Sequence, residues 1–225
     1  MKKVLITGCS RGIGRAILEQ LIEKGEYEIY GISKDINEIC DLNYKYLIKY
    51  EWDLSRIDLL EELAERIWQD SHGIDIIINN AGIAIFKKIE ELSFKEWNEV
   101  LTVNLTAPYV FINKFLPNMK KNNYGRIINI ASDSDYKGFK DRGAYCASKF
   151  GLRGLTESIR DEFIGSNITA TTIGPARVDT YFRGKKPGDR PLSLKPQDVA
   201  NQVIHILNQR ENCCIERIYL RSTLE

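Results

Sequence analysis

Short apolar runs alternate with helix-spaced apolar stripes along almost the whole chain. Runs rich in Ile and other apolar residues predict buried strands at 4–7, 27–33, 46–50, 74–78, 127–131 and 168–173. Between these runs, apolar residues recur at helical spacing, as they do from Leu59 to Ile67. Alternating strands and helices are typical of right-handed crossovers and a parallel sheet. The pattern therefore predicts an α/β fold: a three-layer, doubly wound parallel sheet of about seven strands with helices on both faces.

Glycines and polar side chains follow the carboxyl ends of the predicted strands. In a parallel sheet these ends share one edge, and ligands bind there, near the point where strand order reverses. The sequence therefore predicts one site at this edge. Its candidate segments are 8–14, Ser33 with Lys34, Asp53, 79–82, Ser132 and 175–180.

The first of these segments is a glycine-rich loop between a strand and a helix. Glycines at 8, 12 and 14 let backbone N–H groups and the positive end of the helix approach a pyrophosphate. Their spacing differs from G-x-G-x-x-G. The loop therefore predicts a dinucleotide-binding site whose glycine spacing differs from that motif.

Tyr145 and Lys149 stand one helical turn apart, so an ammonium beside a phenol would favour its ionised form. A solvated Tyr and Lys on a helix is the alternative for any single pair of this kind. The Tyr145 segment, unlike the others, continues into a long helical pattern through Leu152 and Ile159. We therefore expect this pair to carry proton transfer. The other pairs at the same spacing are Tyr30/Lys34, Tyr136/Lys140 and Tyr181/Lys185.

Composition narrows the class of protein. The 225 residues carry 32 Lys and Arg against 31 Asp and Glu, so no basic surface predicts binding to nucleic acid or to a membrane. Five Cys without a C-x-x-C pair and two isolated His predict neither a disulfide framework nor a metal site. The N-terminal apolar run is too short for a signal peptide, and no run suits a transmembrane helix. We expect a single cytoplasmic domain over 1–225.

Assembled in order, these motifs resemble those of the compact, single-domain branch of the short-chain dehydrogenase/reductase family. The resemblance covers nearly the whole chain. It rests on Thr7-Gly8-x-x-x-Gly12-x-Gly14, on Asn79-Asn80-Ala81-Gly82, and on Asn104, Ser132, Tyr145 and Lys149, with the serine thirteen residues before the tyrosine. It implies a Rossmann-type fold and an oxidoreductase. Such an enzyme transfers a hydride between a nicotinamide cofactor and a carbonyl or secondary alcohol of a small molecule.

The resemblance also implies roles for the four catalytic candidates. Tyr145 would be the general acid/base, and Lys149 would lower its pKa and hold the nicotinamide ribose. Ser132 would bind the substrate oxygen, and Asn104 would hold a water that links Lys149 to solvent. Without the other motifs, Ser132 would be interpreted as a turn-closing serine and Asn104 as a residue tying two strands.

The cofactor is expected to be NADP, with NAD as the alternative. At the end of the second strand stand Ser33 and Lys34, and Arg11 lies in the glycine loop, which suits a 2′-phosphate better than a ribose hydroxyl. If the strand ended two residues later, Asp35 would be a ribose ligand. Asp53 and Leu54 would contact the adenine, or else be a helix-start Asp and a core Leu. The full set of expected cofactor contacts is Gly8, Ser10, Arg11, Gly12, Ile13, Gly14, Ser33, Lys34, Asp53, Leu54, Asn80, Ala81, Gly82, Tyr145, Lys149, Pro175, Val178 and Thr180.

The chain departs from the family pattern near its expected substrate loop, 180–196. This loop is short, which predicts an open pocket and argues against steroid- or acyl-carrier-type substrates. Ala176 stands where the family commonly has glycine. Phe139, Tyr181 and Phe182 either line the pocket or pack the core.

Two other functions compete with the oxidoreductase. A catalytically silent dinucleotide sensor or scaffold of the same fold is one, although the complete set of four catalytic candidates argues against it. A sugar-nucleotide epimerase or dehydratase is the other, but it would need different glycine spacing and a larger substrate domain. The resemblance further suggests a homodimer or homotetramer packed through the helices that begin near Asn104 and Gly143.

Overall fold

The structure is a computed structural model that describes residues 1–224, and its centre is one sheet of parallel strands. The seven strands lie in the order β3-β2-β1-β4-β5-β6-β7, and every neighbouring pair is parallel. The predicted doubly wound parallel sheet is therefore confirmed. The strands are β1 (Lys2–Thr7), β2 (Tyr27–Ser33), β3 (Leu47–Glu51), β4 (Ile76–Asn79), β5 (Gly125–Ile130), β6 (Ile168–Pro175) and β7 (Arg217–Leu220).

Helices cover both faces of this sheet, as the alternating pattern predicts. They are α1 (Gly12–Lys24), α2 (Leu60–Ser71), α3 (Phe94–Leu101), α4 (Ala107–Lys121), α5 (Gly143–Glu162) and α6 (Pro196–Leu207). On one face, α2, α4 and α5 bury residues such as Leu63, Phe111 and Ile159 against the sheet. On the other face, α1 and α6 bury residues such as Leu21 and Val203. Burial of these apolar surfaces is the main driving force for the fold.

The ends of the elements differ from the predicted ones where local hydrogen bonds decide them. Ser55, which precedes the helix-spaced apolar residues 59–67, does not cap the helix, because its N–H and hydroxyl both donate to Asp53 Oδ1 and α2 begins only at Leu60. Ser93 does cap α3, in a capping box with Glu96. The edge strand β7 has no strong apolar run, since its side chains alternate between exposed and half-buried.

The order of the strands determines where along the sheet a ligand can bind. After β1 the chain runs outward through β2 and β3, then returns to place β4 on the other side of β1. The direction of winding therefore reverses between β1 and β4, where such sheets bind ligands. A cleft of about 1080 Å³ opens there, at the carboxyl ends of the strands. Its walls come from segments spread along the chain from Gly8 to Arg221.

Membrane-spanning helices are absent from the described part of the chain. No helix within residues 1–224 combines the length and the apolar character that a bilayer crossing requires.

Candidate active site

The glycine loop after β1 is held in place by the segment that follows β4. Thr7 Oγ1 accepts hydrogen bonds from the backbone N–H groups of Asn80 (3.1 Å) and Ala81 (3.0 Å). Asn80 Nδ2 donates to the carbonyls of Thr7 (3.0 Å) and Gly8 (2.9 Å). A Cβ at Gly14 would lie 2.1 Å from the Gly8 oxygen, so only glycine fits there. The two motifs therefore form one rigid unit.

This unit suits the pyrophosphate of a dinucleotide. Gly8 (φ 65) and Gly12 (φ 58) take the left-handed backbone conformation that glycine adopts most easily. The α1 helix begins at Gly12, and the extended Arg11 before it supplies no side-chain cap. The first N–H groups of α1 are thus left for an anion at the positive end of the helix. The chain's own residues fit a bound dinucleotide at this point.

At the other end of the cleft, the predicted 2′-phosphate site contains charges of both signs. Ser33 is buried, and its hydroxyl donates to the Asp35 carbonyl (2.9 Å). Lys34 Nζ pairs with Asp53 Oδ2 at 2.6 Å. Strand β2 ends at Ser33, as predicted. The Arg11 guanidinium lies 5.6 Å from the centre of the Tyr181 ring, so its side chain extends toward the loop after β6. The Lys34 side chain is 78% exposed even though it pairs with Asp53.

Tyr145 and Lys149 lie on one face of α5, where the sequence places them. Both are buried, at 7% and 3% exposure. Lys149 Nζ donates a 2.9 Å hydrogen bond to the Ile130 carbonyl at the end of β5 and lies 5.8 Å from the centre of the Tyr145 ring. Gly82 lies beside the ammonium, and a Cβ at this position would make an ordinary 3.6 Å contact with Nζ.

Burial dominates the electrostatics of this pair. It raises the pKa of Tyr145 to about 12, against the smaller opposing effect of the neighbouring Ser132 hydroxyl. It lowers the pKa of Lys149 to about 8, and the Asp135 carboxylate partly opposes that shift. The expected lowering of the phenol pKa by Lys149 is therefore not seen in the protein alone. At neutral pH the phenol holds its proton and the ammonium holds its charge.

The Ser132 hydroxyl is already engaged by its neighbours. It donates to Asp133 Oδ1 at 3.0 Å and accepts from the Ser134 N–H at 3.2 Å, which closes the turn at Asp133–Asp135. Its hydroxyl hydrogen must leave Asp133 before it can donate to a substrate oxygen. Asp133 and a substrate oxygen therefore compete for this hydrogen, whereas the bond accepted from the Ser134 N–H can persist.

Asn104 lies behind the cleft wall, fully buried, in the π-helical turn Thr102–Thr106 that joins α3 to α4. Its Oδ1 accepts from the Ile83 N–H (2.9 Å), and its Nδ2 donates to the Ile83 carbonyl (2.9 Å) and to Ser148 Oγ (3.0 Å). These bonds tie the loop after β4 to α5. A π-helical turn inside an α-helix is a frequent mark of a functional site.

Asp179 anchors the loop over the cleft, a role that sequence reasoning missed. Its buried carboxylate accepts hydrogen bonds from the Gly188 N–H (2.9 Å), the Arg190 N–H (3.3 Å) and Lys195 Nζ (2.9 Å). The second half of the loop 180–196 is thereby fixed to the end of β6. A lone Asp after a strand gives no sequence signal for this role, because its partners follow nine to sixteen residues later.

Phe86 and Arg142, which sequence reasoning also missed, form the wall next to Tyr145. The Phe86 ring centre lies 5.8 Å from that of Tyr145, and the Arg142 guanidinium lies 4.7 Å from the Phe86 ring. A parallel bridge between Lys87 and Arg142 brings the two segments together. Only this tertiary contact makes them neighbours, so no local pattern could have indicated them.

The structure brings the expected site residues together in one cleft. All of them line it except Gly14 and Asn104, which lie behind its wall and support it. Phe139, Tyr181 and Phe182 also line the cleft.

Comparison with known proteins gives a consistent result. The family model described as short chain dehydrogenase matches residues 2–190. A 3-oxoacyl-(acyl-carrier-protein) reductase of Buchnera aphidicola is 34% identical over 93% of this chain and 91% of its own length. The structure resembles an alcohol dehydrogenase from Thermococcus sibiricus complexed with 5-hydroxy-NADP (TM-score 0.89, 28% identity, 100% and 98% of the two chains covered). It also resembles a 4-hydroxyisoleucine dehydrogenase complexed with NADH (TM-score 0.89, 25% identity, 99% and 98% covered).

Proposed function

The chain belongs to the short-chain dehydrogenase family, and we propose that it is an oxidoreductase acting on a carbonyl or secondary alcohol of a small molecule. The observation that carries this proposal is the position of Tyr145. Its phenol is buried beside Lys149 in the same cleft as the glycine loop. A bound nicotinamide would supply or accept the hydride, so the protein itself must move one proton.

Tyr145 is the residue that moves this proton. Because its pKa is raised to about 12, the phenol is fully protonated at neutral pH, as reduction of a carbonyl requires, but it is a weaker acid than a free phenol and needs help to release its proton. Lys149 holds a positive charge beside the ring and would stabilise the phenolate that forms when the proton leaves. Its hydrogen bond to Ile130 keeps that charge in place.

Ser132 and Asn104 have supporting roles in this proposal. Ser132 would turn its hydroxyl from Asp133 toward the substrate oxygen. Asn104 would fix the Ile83 backbone and Ser148, and so the position of α5. Both Asn104 Nδ2 hydrogens are already used, so a water that links Lys149 to solvent would have to donate to the second acceptor site of Asn104 Oδ1.

NADP(H) is proposed as the preferred cofactor, with NAD(H) as the alternative. Lys34 is the cation beside the end of β2, and Arg11, whose guanidinium lies near the Tyr181 ring, would have to turn toward that end of the cleft to meet a 2′-phosphate. The carboxylates of Asp35, Glu38 and Asp53 line the same region and would repel a 2′-phosphate, so the preference would depend on those two cations. The two similar dehydrogenase structures, one with 5-hydroxy-NADP and one with NADH, fit either choice.

A silent sensor or scaffold is the competing function, and one experiment separates the two. The purified protein is mixed with NADPH or NADH and a panel of small ketones, aldehydes, diketones and oxo acids, and cofactor oxidation is followed at 340 nm. Turnover of at least one substrate supports the oxidoreductase. Cofactor binding by fluorescence without any turnover would favour the silent protein.

The remaining expectations concern the whole molecule. We propose that residues 1–225 act as one cytoplasmic oxidoreductase domain, because all seven strands belong to one sheet. We also propose a homodimer or homotetramer, because Tyr109 on α4 and Phe150 on α5 expose aromatic rings to solvent. Light scattering that gives the mass of a monomer, 25.9 kDa, would overturn this.

A further inference from the structure

Two arginines converge on one aromatic ring beside the proposed acid. The Arg183 guanidinium lies 3.7 Å from the centre of the Phe86 ring, and that of Arg142 lies 4.7 Å from it. The Phe86 ring centre is itself 5.8 Å from that of Tyr145. Arg142 also stacks on Phe139, at 4.5 Å. The two cations are thus held next to the place where a substrate carbonyl would meet the phenol.

Neither arginine has an acidic partner among residues 1–224. Among the ion pairs of the described residues, none involves Arg142, Arg183 or Arg190, although all three line the cleft. Partial burial, with repulsion from Arg142 and Arg190, lowers the pKa of Arg183 below its ordinary value. Neighbouring like charges without a counterion are costly, so this group is suited to receive an anion.

The backbone at Arg183 is also unusual. It has φ 64 and ψ 43, a left-handed conformation that is rare for a long side chain, and Gly184 follows with φ 67. Such strain persists where the surrounding structure holds it, and it is frequent at ligand-binding sites. In this backbone conformation the Arg183 guanidinium lies over the Phe86 ring.

We propose that the substrate carries a carboxylate, which Arg142 and Arg183 bind while Tyr145 serves the carbonyl or hydroxyl group of the same molecule. This proposal rests on the proposed oxidoreductase function and names its substrate class: short oxo acids or the matching hydroxy acids. Planar guanidinium groups match carboxylates through paired hydrogen bonds. The apolar faces of Phe86 and Phe182, whose rings both lie against Tyr145, would cover the carbon chain between the two groups.

A phosphate of the cofactor is the other anion that such a site could hold. The contacts favour a substrate anion over a cofactor phosphate as the ligand of the two arginines. Both arginines and Tyr145 surround the Phe86 ring, whereas the glycine loop expected to hold the phosphates packs on Ala81 and Thr180. Arg190 is left out of the substrate site, because its guanidinium reaches the Val178 carbonyl at 3.4 Å.

The kinetic test compares oxo acids with their methyl esters. The substrates have the carbonyl at C2, C3 or C4, and the variants are Arg183→Asn, which tolerates the left-handed backbone, and Arg142→Gln. In the unmodified protein, kcat/KM should favour at least one acid over its ester. Each substitution should lower that ratio about 10- to 100-fold, through the KM of the acid, with ester turnover and cofactor KM little changed. Lys88→Gln, which removes a cation already paired with Glu91, is the matched control and should leave the ratio unchanged.

Three other outcomes have separate meanings. An unchanged acid-to-ester ratio in both variants would overturn the carboxylate site. An equal loss for acid and ester together with a raised cofactor KM would assign the arginines to a cofactor phosphate. Absence of turnover with every acid, ester and cofactor would overturn the proposed oxidoreductase function instead.

A binding measurement tests the carboxylate site without relying on turnover. Calorimetry with butanoate and its neutral analogue butanamide, in the presence of NADP⁺, should show tighter binding of butanoate. Arg183→Asn should remove most of that difference, whereas Arg183→Lys, which keeps the charge, should retain part of it. Equal binding of the two compounds by the unmodified protein would contradict the proposal.

Discussion

Lys149 lies one turn after Tyr145 on α5, with its Nζ 5.8 Å from the centre of the Tyr145 ring and 2.9 Å from the Ile130 carbonyl. The second contact joins the pair to the carboxyl end of β5. The ammonium is therefore positioned by the sheet itself, next to a phenol that is almost completely buried. This arrangement makes Lys149 sensitive to the charges that surround it.

The activity should depend on the protonation of Lys149. Its pKa is lowered to about 8, chiefly by burial, so the charge beside Tyr145 is present below that pH and is lost above it. We expect kcat/KM for carbonyl reduction to fall as the pH rises through about 8. Because the Asp135 carboxylate raises the Lys149 pKa, Asp135→Asn should move this fall to lower pH.

The control for this pH profile is Asp133→Asn in the same turn. Asp133 raises the pKa of Tyr145 but is not among the groups that shift Lys149. Asp133→Asn should therefore leave the pH at which kcat/KM falls unchanged. If the fall in kcat/KM occurs at an unchanged pH in Asp135→Asn, or shifts equally in both variants, the assignment of this fall to Lys149 is contradicted.

Gly14→Ala should damage the nucleotide site. The added Cβ would lie 2.1 Å from the Gly8 carbonyl oxygen and 2.4 Å from Asn80 Nδ2. Forcing these groups apart should lower the free energy of unfolding by about 1–3 kcal/mol and weaken dinucleotide binding. Urea unfolding and fluorescence titration measure the two effects.

Gly154→Ala in the helix α5 is the matched control. A Cβ at this position meets no atom within 4 Å. It should raise the free energy of unfolding by about 0.5–1 kcal/mol, since alanine favours the helix, and leave cofactor binding unchanged. Equal stability losses in both variants would mean that Gly14 has no special role.

Asn104→Ala should destabilise the protein as well as reduce its activity. It removes the partners of the half-buried Ile83 N–H and carbonyl and one of the two partners of the buried Ser148 hydroxyl. Each buried polar group left unpaired costs about 1–3 kcal/mol, so the midpoint of urea unfolding should drop clearly. Full stability with lost activity would instead favour a purely catalytic role for Asn104.

The cofactor preference should depend on Lys34 and Arg11. In the double variant Lys34→Ala with Arg11→Ala, the ratio of kcat/KM for NADPH to that for NADH should fall about tenfold or more, because a 2′-phosphate would lose both cations. Asp35→Ala is the reciprocal control, since it removes a carboxylate that would repel that phosphate. An unchanged ratio in the double variant would leave NAD as the preferred cofactor.

Much of the fold could be predicted from the sequence because its signals are local. The bounds of β2 follow from one apolar run, and the start of α3 follows from the Ser93 capping box. The clustering of the glycine loop, the 79–82 segment and Ser132 follows from one rule, that the carboxyl ends of parallel strands share an edge. The strand β7, which lacks a strong apolar run, and the start of α2 at Leu60 could not be predicted from these rules.

The substrate end of the site could not be predicted, because its contacts are tertiary. Phe86 and Arg142 become neighbours through the bridge at Lys87, and Arg183 meets Phe86 from the loop after β6, almost a hundred residues later in the chain. The raised pKa of Tyr145 also depends on burial, which the spacing of Tyr and Lys does not reveal. Spacing identified the pair, and the surrounding structure determined its protonation.

The most direct test of the account is the turnover of Tyr145→Phe. The variant loses only the phenol oxygen, and we expect kcat/KM to fall about 10²- to 10⁴-fold while cofactor binding and the unfolding midpoint are retained. Tyr136→Phe and Tyr181→Phe, which line the same cleft and also precede a lysine by four residues, should keep most of the activity, as should Tyr30→Phe. Near-full turnover of Tyr145→Phe would contradict the assignment of Tyr145 as the general acid.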